Sequence, residues 1–182
     1  MDLHTPAAAV EPVPLVVIVH GGLWLGGSKS HYPDLKRLLV RHGIGTASLD
    51  YGRSLEGGFE RQVLAIKEAI RWLRLRADTL GIDPGRIGMF GSSAGGHLAG
   101  VAGFSGDGEG FGEDPEGQSS EVQALFLLYG VYDLEGVVSN PIVRWMAGED
   151  ADAPDAERYQ RYSPIHHVWG GEPPTFLLHG TD

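Results

Sequence analysis

The pentapeptide Gly91-Ser92-Ser93-Ala94-Gly95 fits G-x-S-x-G, in which glycines permit a sharp strand-to-helix turn that lifts the central hydroxyl into a site. The chemistry open to such a hydroxyl is acyl transfer: attack on a carbonyl, a transient oxyanion, and an acyl-enzyme resolved by water. Five residues of this kind arise by chance in about one such chain in four, so the surroundings must carry the assignment. Here an apolar run precedes the motif and a stretch of small residues at helical length follows it. That places a helix N-terminus, with its free N–H groups and positive dipole end, beside Ser93. The competing expectation is a glycine-rich structural turn. Ser92 takes the non-nucleophile position.

An oxyanion needs donors, and His20-Gly21-Gly22 follows the apolar run Leu15 to Val19 directly. Glycines let bare backbone approach a ligand, so the amides of Gly22 and Leu23, with that of Ala94 after the nucleophile, are the candidates. Taken alone, the same three residues make an ordinary tight turn. His20 reads as a loop-ordering hydrogen-bonder and Trp24 as packing. His97 lies one helical turn beyond Ser93; packing is expected of it, with a role as general base the alternative.

These residues must be held by elements, and the chain supplies strands and helices in alternation. Leu15 to Val19, Ile44 to Leu49, Arg86 to Phe90, Val122 to Leu128 and Thr175 to Leu178 read as short buried strands. Leu35, Leu38, Leu39 and His42 mark one helix. Val63, Ile66, Ile70, Leu73, Ala77 and Leu80 form one amphipathic stripe, and Ala94 to Phe104 reads as a buried helix. Asp83-Pro84-Gly85 breaks the chain, and Pro141, Pro154 and Pro164 punctuate short helical pieces. Apolar strands alternating with helices predict an α/β fold with a mostly parallel sheet covered on both faces, in one domain over 1–182. Ligands bind such sheets beyond the carboxyl ends of the strands, where the two glycine motifs fall.

The remaining composition narrows the function. Twenty-four acidic against fourteen basic side chains give a formal charge of −10, a field that repels nucleic acid and anionic membrane surfaces. The absence of Cys removes disulfides, thiolate metal sites and a cysteine nucleophile together. Leu15 to Val19 is too short to span a bilayer and no basic signal segment precedes it, so a cytoplasmic chain is expected. Ser105 to Glu121 superficially suggests calcium, but Phe111 and Gln118 stand where an EF-hand needs ligands, leaving a solvated surface loop. His166-His167 lacks metal-ligand spacing, and adjacent residues on a strand would point apart; no metal or cofactor is expected. Glu149 to Glu157 reads as a solvated connector, with a substrate-covering element the alternative.

His20-Gly21-Gly22-Leu23-Trp24, Asp50-Tyr51 with Arg53, Ile70 to Leu73, Gly81-Ile82-Asp83-Pro84 and Gly91 to Leu98 together resemble the α/β-hydrolase superfamily. The nearest branch is the hormone-sensitive-lipase-like and feruloyl-esterase-like esterases, which Ser163-Pro164-Ile165 and Pro173 to Asp182 also resemble. The resemblance implies a three-layer hydrolase fold and a small-molecule ester hydrolase using Ser, acid and His in that chain order. It also implies antiparallel opening strands, for which only Met1 to Pro14 is available, and an acid in the loop after Thr175 to His179. Asp182 is the candidate acid, or stands one residue short of it. All eight histidines precede the position that order requires for the base. The expectation is therefore a hydrolase chain lacking its first strands, its last strand, last helix and catalytic His, weakly active or inactive as it stands. An aryl formamidase-type amidase, whose loop His-Gly-Gly-x-Trp also resembles, and a non-catalytic binding module on the same fold are the alternatives.

Overall fold

The computed structural model describes residues 1–7, 9–52, 58–107, 111–112, 117–148 and 156–180. Its strands are β1 (Asp2–His4), β2 (Val13–Val19), β3 (Gly45–Leu49), β4 (Ile82–Ser92), β5 (Ala124–Leu128) and β6 (Thr175–Leu178). Between them run α1 (Pro33–Arg41), α2 (Gly58–Leu75), α3 (Ala77–Leu80), α4 (Ala94–Phe104), α5 (Pro141–Met146) and α6 (Ala156–Arg161). Single 3-10 turns occupy Glu135–Val137 and Pro164–His167.

The strands form one sheet in the order β1-β3-β2-β4-β5-β6, parallel throughout except at β1, which pairs antiparallel with β3. One antiparallel strand therefore occupies the stretch before Pro14. From β2 the chain steps one way to β3, and from β4 it steps the other way to β5. Right-handed crossovers then send α1 and α4 to opposite faces. The loops leaving β2 and β4 diverge at this switch point and open a crevice between them.

Side-chain pattern accounts for the layers. β2 is β-branched and buried at nearly every position because it is central and covered on both sides. The α2 stripe Val63, Ile66, Ile70 and Leu73 is wholly buried. α4 is buried along most of its length, its glycines and alanines letting it lie close to the sheet. α1 buries no residue fully.

Four expectations are corrected. The stripe from Val63 to Leu80 is not one helix: it breaks at Arg76, and α3 resumes at Ala77 in phase with it. Asp83-Pro84-Gly85 does not break the chain ahead of a strand at Arg86 but bulges out of β4, whose register against β2 jumps from Val13↔Ile82 to Leu15↔Ile87. Ser105 to Glu121 is more than a solvated loop, since Phe111, Ser105 and Ser120 are buried and Lys67 of α2 donates to Ser105 O at 2.7 Å and to Ser120 Oγ at 3.3 Å. His166-His167 lies on a 3-10 turn, where His167 is buried and His166 exposed, and not on a strand. Arg53, the acidic stretch 149–155 and Asp182 lie outside the described residues.

Candidate active site

β4 ends at Ser92 and α4 begins at Ala94, so Ser93 makes the whole turn itself, at φ 53° and ψ −125°. A non-glycine residue held at positive φ costs on the order of 1–3 kcal/mol and persists only where its surroundings fix it. Steric need defines those surroundings. A Cβ on Gly91 would fall under 3.0 Å from Gly95 O and from Ala99 Cβ, and one on Gly95 under 3.0 Å from the carbonyls of Val19 and His20. The two glycines of the motif are thus the places where backbone crosses backbone. The Ser93 amide donates to Leu128 O at 2.9 Å, stapling the turn to β5, and Tyr129 N–H continues the tie to Leu178 O of β6. Ser92 is buried, its hydroxyl hydrogen-bonded with that of Tyr32. Among the described residues the Ser93 hydroxyl has no hydrogen-bond partner.

The loop leaving β2 comes directly against this turn: a Cβ on Gly21 would sit 3.0 Å from Ser92 O and 3.2 Å from Ser93 Cβ. Three consecutive positive φ angles follow, 140° at Gly22, 53° at Leu23 and 62° at Trp24. The Gly22 carbonyl is occupied by the amides of Leu25 and Gly26, at 3.1 and 2.9 Å. The amides of Gly22 and Leu23 have no acceptor among the described residues. Ala94 opens α4, whose first-turn N–H groups have no intrahelical acceptor. Amides without an acceptor thus lie on the loop set against Ser93 and at the start of the helix that follows it; donors of this kind, if they converge on one point, can hold a developing oxyanion.

His20 orders the loop as expected. It is buried, its Nδ1 donates to Gly21 O at 2.9 Å, and it stacks on Tyr51 at 4.3 Å, whose hydroxyl donates to His20 O at 2.7 Å. Burial lowers the His20 pKa, opposed by the Gly21 hydrogen bond. Burial likewise raises the Tyr51 phenol above its ordinary value. Trp24 packs inward, also as expected.

His97 is not a base for Ser93. Its ring is fully buried, Nδ1 accepts from Trp24 Nε1 at 3.0 Å, and Nε2 donates to Tyr162 O at 2.7 Å. Both nitrogens are taken, which fixes the neutral tautomer, and burial pushes the imidazole down to about 4. Among the described residues, no histidine ring hydrogen-bonds the Ser93 hydroxyl. His179, after β6, points Nε2 at Gly130 O instead, at 3.2 Å.

Sequence reading missed three further residues. Tyr32 reaches Ser92, Gln62 of α2 donates to Trp24 O at 2.7 Å, and Tyr162 receives His97. Each partner is tens of residues away, beyond any local pattern. The fold also sets Asp133 and Glu135 beside His166, with ligand-capable atoms within 4.8 Å of one another. All three are exposed, and their carboxylates already accept from the Glu135 amide and from Gln160. No described helix is long and apolar enough to cross a membrane.

A family model described as BD-FAE matches residues 1–182. The chain belongs to the BD-FAE family. Esterase LipC of Mycobacterium tuberculosis (strain ATCC 25618 / H37Rv) is 32% identical to this BD-FAE chain over 94% of it and 44% of LipC. Among solved structures, the propionate-bound thermophilic esterase Est2 of Thermogutta terrifontis is similar with a TM-score of 0.79 and 29% identity, covering 98% of the BD-FAE chain and 65% of Est2. An acetyl ester-xyloside bifunctional hydrolase from Caldicellulosiruptor lactoaceticus gives a TM-score of 0.81 at 29% identity, over 96% of this chain and 64% of that one. The fold is that of the α/β-hydrolase esterases. The chain spans less than half of LipC and just under two thirds of these solved structures.

Proposed function

We propose that Ser93 is the nucleophile of a carboxylic-ester hydrolase, that the amides of Gly22, Leu23 and Ala94 receive the oxyanion, and that Asp182 is the acid of the triad. The supporting observation is the unpartnered hydroxyl on a strained turn with the Gly21 backbone set against it. Ser93 Oγ attacks the ester carbonyl carbon and gives its proton to a histidine base. The carbonyl oxygen becomes the oxyanion held by the three amides. The C–O bond to the alcohol then breaks, the base returns the proton to the leaving alkoxide, and water repeats the sequence on the acyl-enzyme. The contacts of the described residues supply no such histidine to Ser93, and losing a triad member leaves only ~10³ to 10⁴-fold catalysis over water. Esters of small or aromatic acids are the proposed substrates, in keeping with relatives named as esterases.

The test is covalent labelling of the 182-residue polypeptide by an alkyl fluorophosphonate with imidazole added as external base, mapped by peptide mass spectrometry. Labelling at Ser93, absent from Ser93→Ala, is the expected result. Adducts confined to tyrosine or lysine side chains would overturn the assignment and favour a binding module on the same fold.

A further inference from the structure

We propose that His97 is a positioning residue which, through Trp24, holds the Gly22 and Leu23 amides in register with the nucleophile. This rests on the ester-hydrolase reading above, and it adds a residue that touches neither substrate nor Ser93 Oγ.

The need comes from the loop. Gly22, Leu23 and Trp24 all sit at positive φ, and two of them carry side chains that disfavour it. Such a segment relaxes unless its end is pinned. Its near end is the continuation of β2. Its far end is Trp24, pinned at three points: the indole ring is buried edge-on against Phe59 and His97 at 5.4 and 5.5 Å, its carbonyl accepts from Gln62 at 2.7 Å, and its Nε1–H donates to His97 Nδ1 at 3.0 Å. Of these ties, the one to His97 runs to α4. The His97 amide in turn donates to Ser93 O at 3.0 Å, one turn away. A single helical turn thus carries both the nucleophile and the anchor of the loop that faces it. His97 Nε2–H is held by Tyr162 O, so the ring cannot rotate without leaving a buried donor and a buried acceptor unpaired.

Donors misplaced by a fraction of an ångström lose much of their effect on a transition state while binding of the ground state changes little. Removing the His97 acceptor should therefore lower the reaction rate at saturation more than it changes half-saturation. In the imidazole-assisted fluorophosphonate reaction, His97→Leu, close in volume and without polar atoms, should slow saturated labelling of Ser93 by about tenfold or more. The half-saturating probe concentration should move by less than about threefold. His97→Gln, whose Oε1 can accept from Trp24 and whose Nε2 can donate to Tyr162 O, should recover most of the rate. Trp24→Phe, which keeps a buried ring and deletes only the donor, should match His97→Leu, and the double variant should be no slower than either single. Trp24→Phe also serves if His97→Leu fails to fold.

The second readout needs no reactivity: ¹H–¹⁵N spectra, in which the Gly22 and Leu23 amide resonances should shift in His97→Leu and in Trp24→Phe and return toward wild type in His97→Gln. If wild type is not labelled yet the amides shift, the hydrolase reading fails and the positioning stands. If either Leu23 or Gly22 stays unshifted in both deletions, or labelling is equally slow in His97→Gln and His97→Leu, the positioning role is overturned.

Discussion

At position 95 a methyl group has nowhere to go: it would meet the Val19 and His20 carbonyls, which belong to a central strand and to the loop set against Ser93. Neither can retreat without breaking the sheet or the site. Gly95→Ala should lower unfolding free energy by about 3 kcal/mol or more, read by urea titration, because the clash is backbone on backbone. A loss below about 1 kcal/mol would mean the two segments are less closely apposed. His97 adds a pH term whose sign follows from its tautomer. The folded imidazole is held near 4 by burial, below the free value of about 6.5. The unfolded chain therefore takes up more protons between those values. The stabilising contribution is complete above about 6.5 and is lost as pH falls toward 4, in total about 3 kcal/mol. His20, also lowered by burial, acts in the same direction, so the comparison must cancel it. The stability advantage of wild type over His97→Gln, measured by urea titration at pH 7 and pH 4.5, should shrink by about 2 kcal/mol or more. An advantage that stays constant would show that the ring is not held neutral.

Among the elements, α2 shows what periodicity can and cannot reveal. The buried stripe Val63, Ile66, Ile70 and Leu73 is legible because one helix face sees the core. The break at Arg76 is not legible, since Ala77 and Leu80 continue the same phase after it. Nor is the burial of Lys67, whose charge reads as solvent-facing until Ser105, Gly106 and Ser120 close over it. There the Asp107 carboxylate, which burial alone would raise, is drawn down to about 2 by hydrogen bonds from Ser120 and Ser119 and by the Lys67 charge. Lys67→Met keeps most of the volume but leaves the Ser105 and Gly106 carbonyls and the Ser120 hydroxyl without their Nζ donor, while Arg71 still pairs with Asp107 at 3.6 Å. It should cost about 2 kcal/mol in urea unfolding and hasten proteolytic nicking in the 105–120 stretch. An unchanged nicking rate would show that α2 does not hold that segment. The same division runs through the site. Ser93 and the glycines around it were readable because a strand-turn-helix signature is local. The partners that lock them, Tyr32, Gln62, Trp24 with His97, and Tyr162, meet only after the sheet has ordered them.

The molecule as a whole presents unequal sheet faces. On the side of α2 and α4 the sheet is covered, with Leu125 and Leu127 of β5 buried. On the other, Phe90, Phe126 and Phe176 stand opposite one another on three adjacent strands and stack at 5.9 and 4.5 Å between ring centroids. Tyr32, just ahead of α1, closes over Phe90, but Phe126 and Phe176 remain 40% and 52% exposed. Together with Val16, Gly88 and Ala124 they line an apolar groove of about 460 Å³. Apolar area of this kind binds hydrophobic dyes. The net charge of −10 would repel an anionic dye and hide the effect, so the probe must be neutral. Nile red should brighten and shift to the blue on the native 182-residue protein at pH 7. Phe126→Ser with Phe176→Ser should remove at least half of that signal. Each side chain is about half in water, so the pair of substitutions should cost about 3 kcal/mol in urea unfolding. Undiminished dye binding in the double variant would place the accessible apolar surface elsewhere. A large loss of stability would show that these rings are covered in solution.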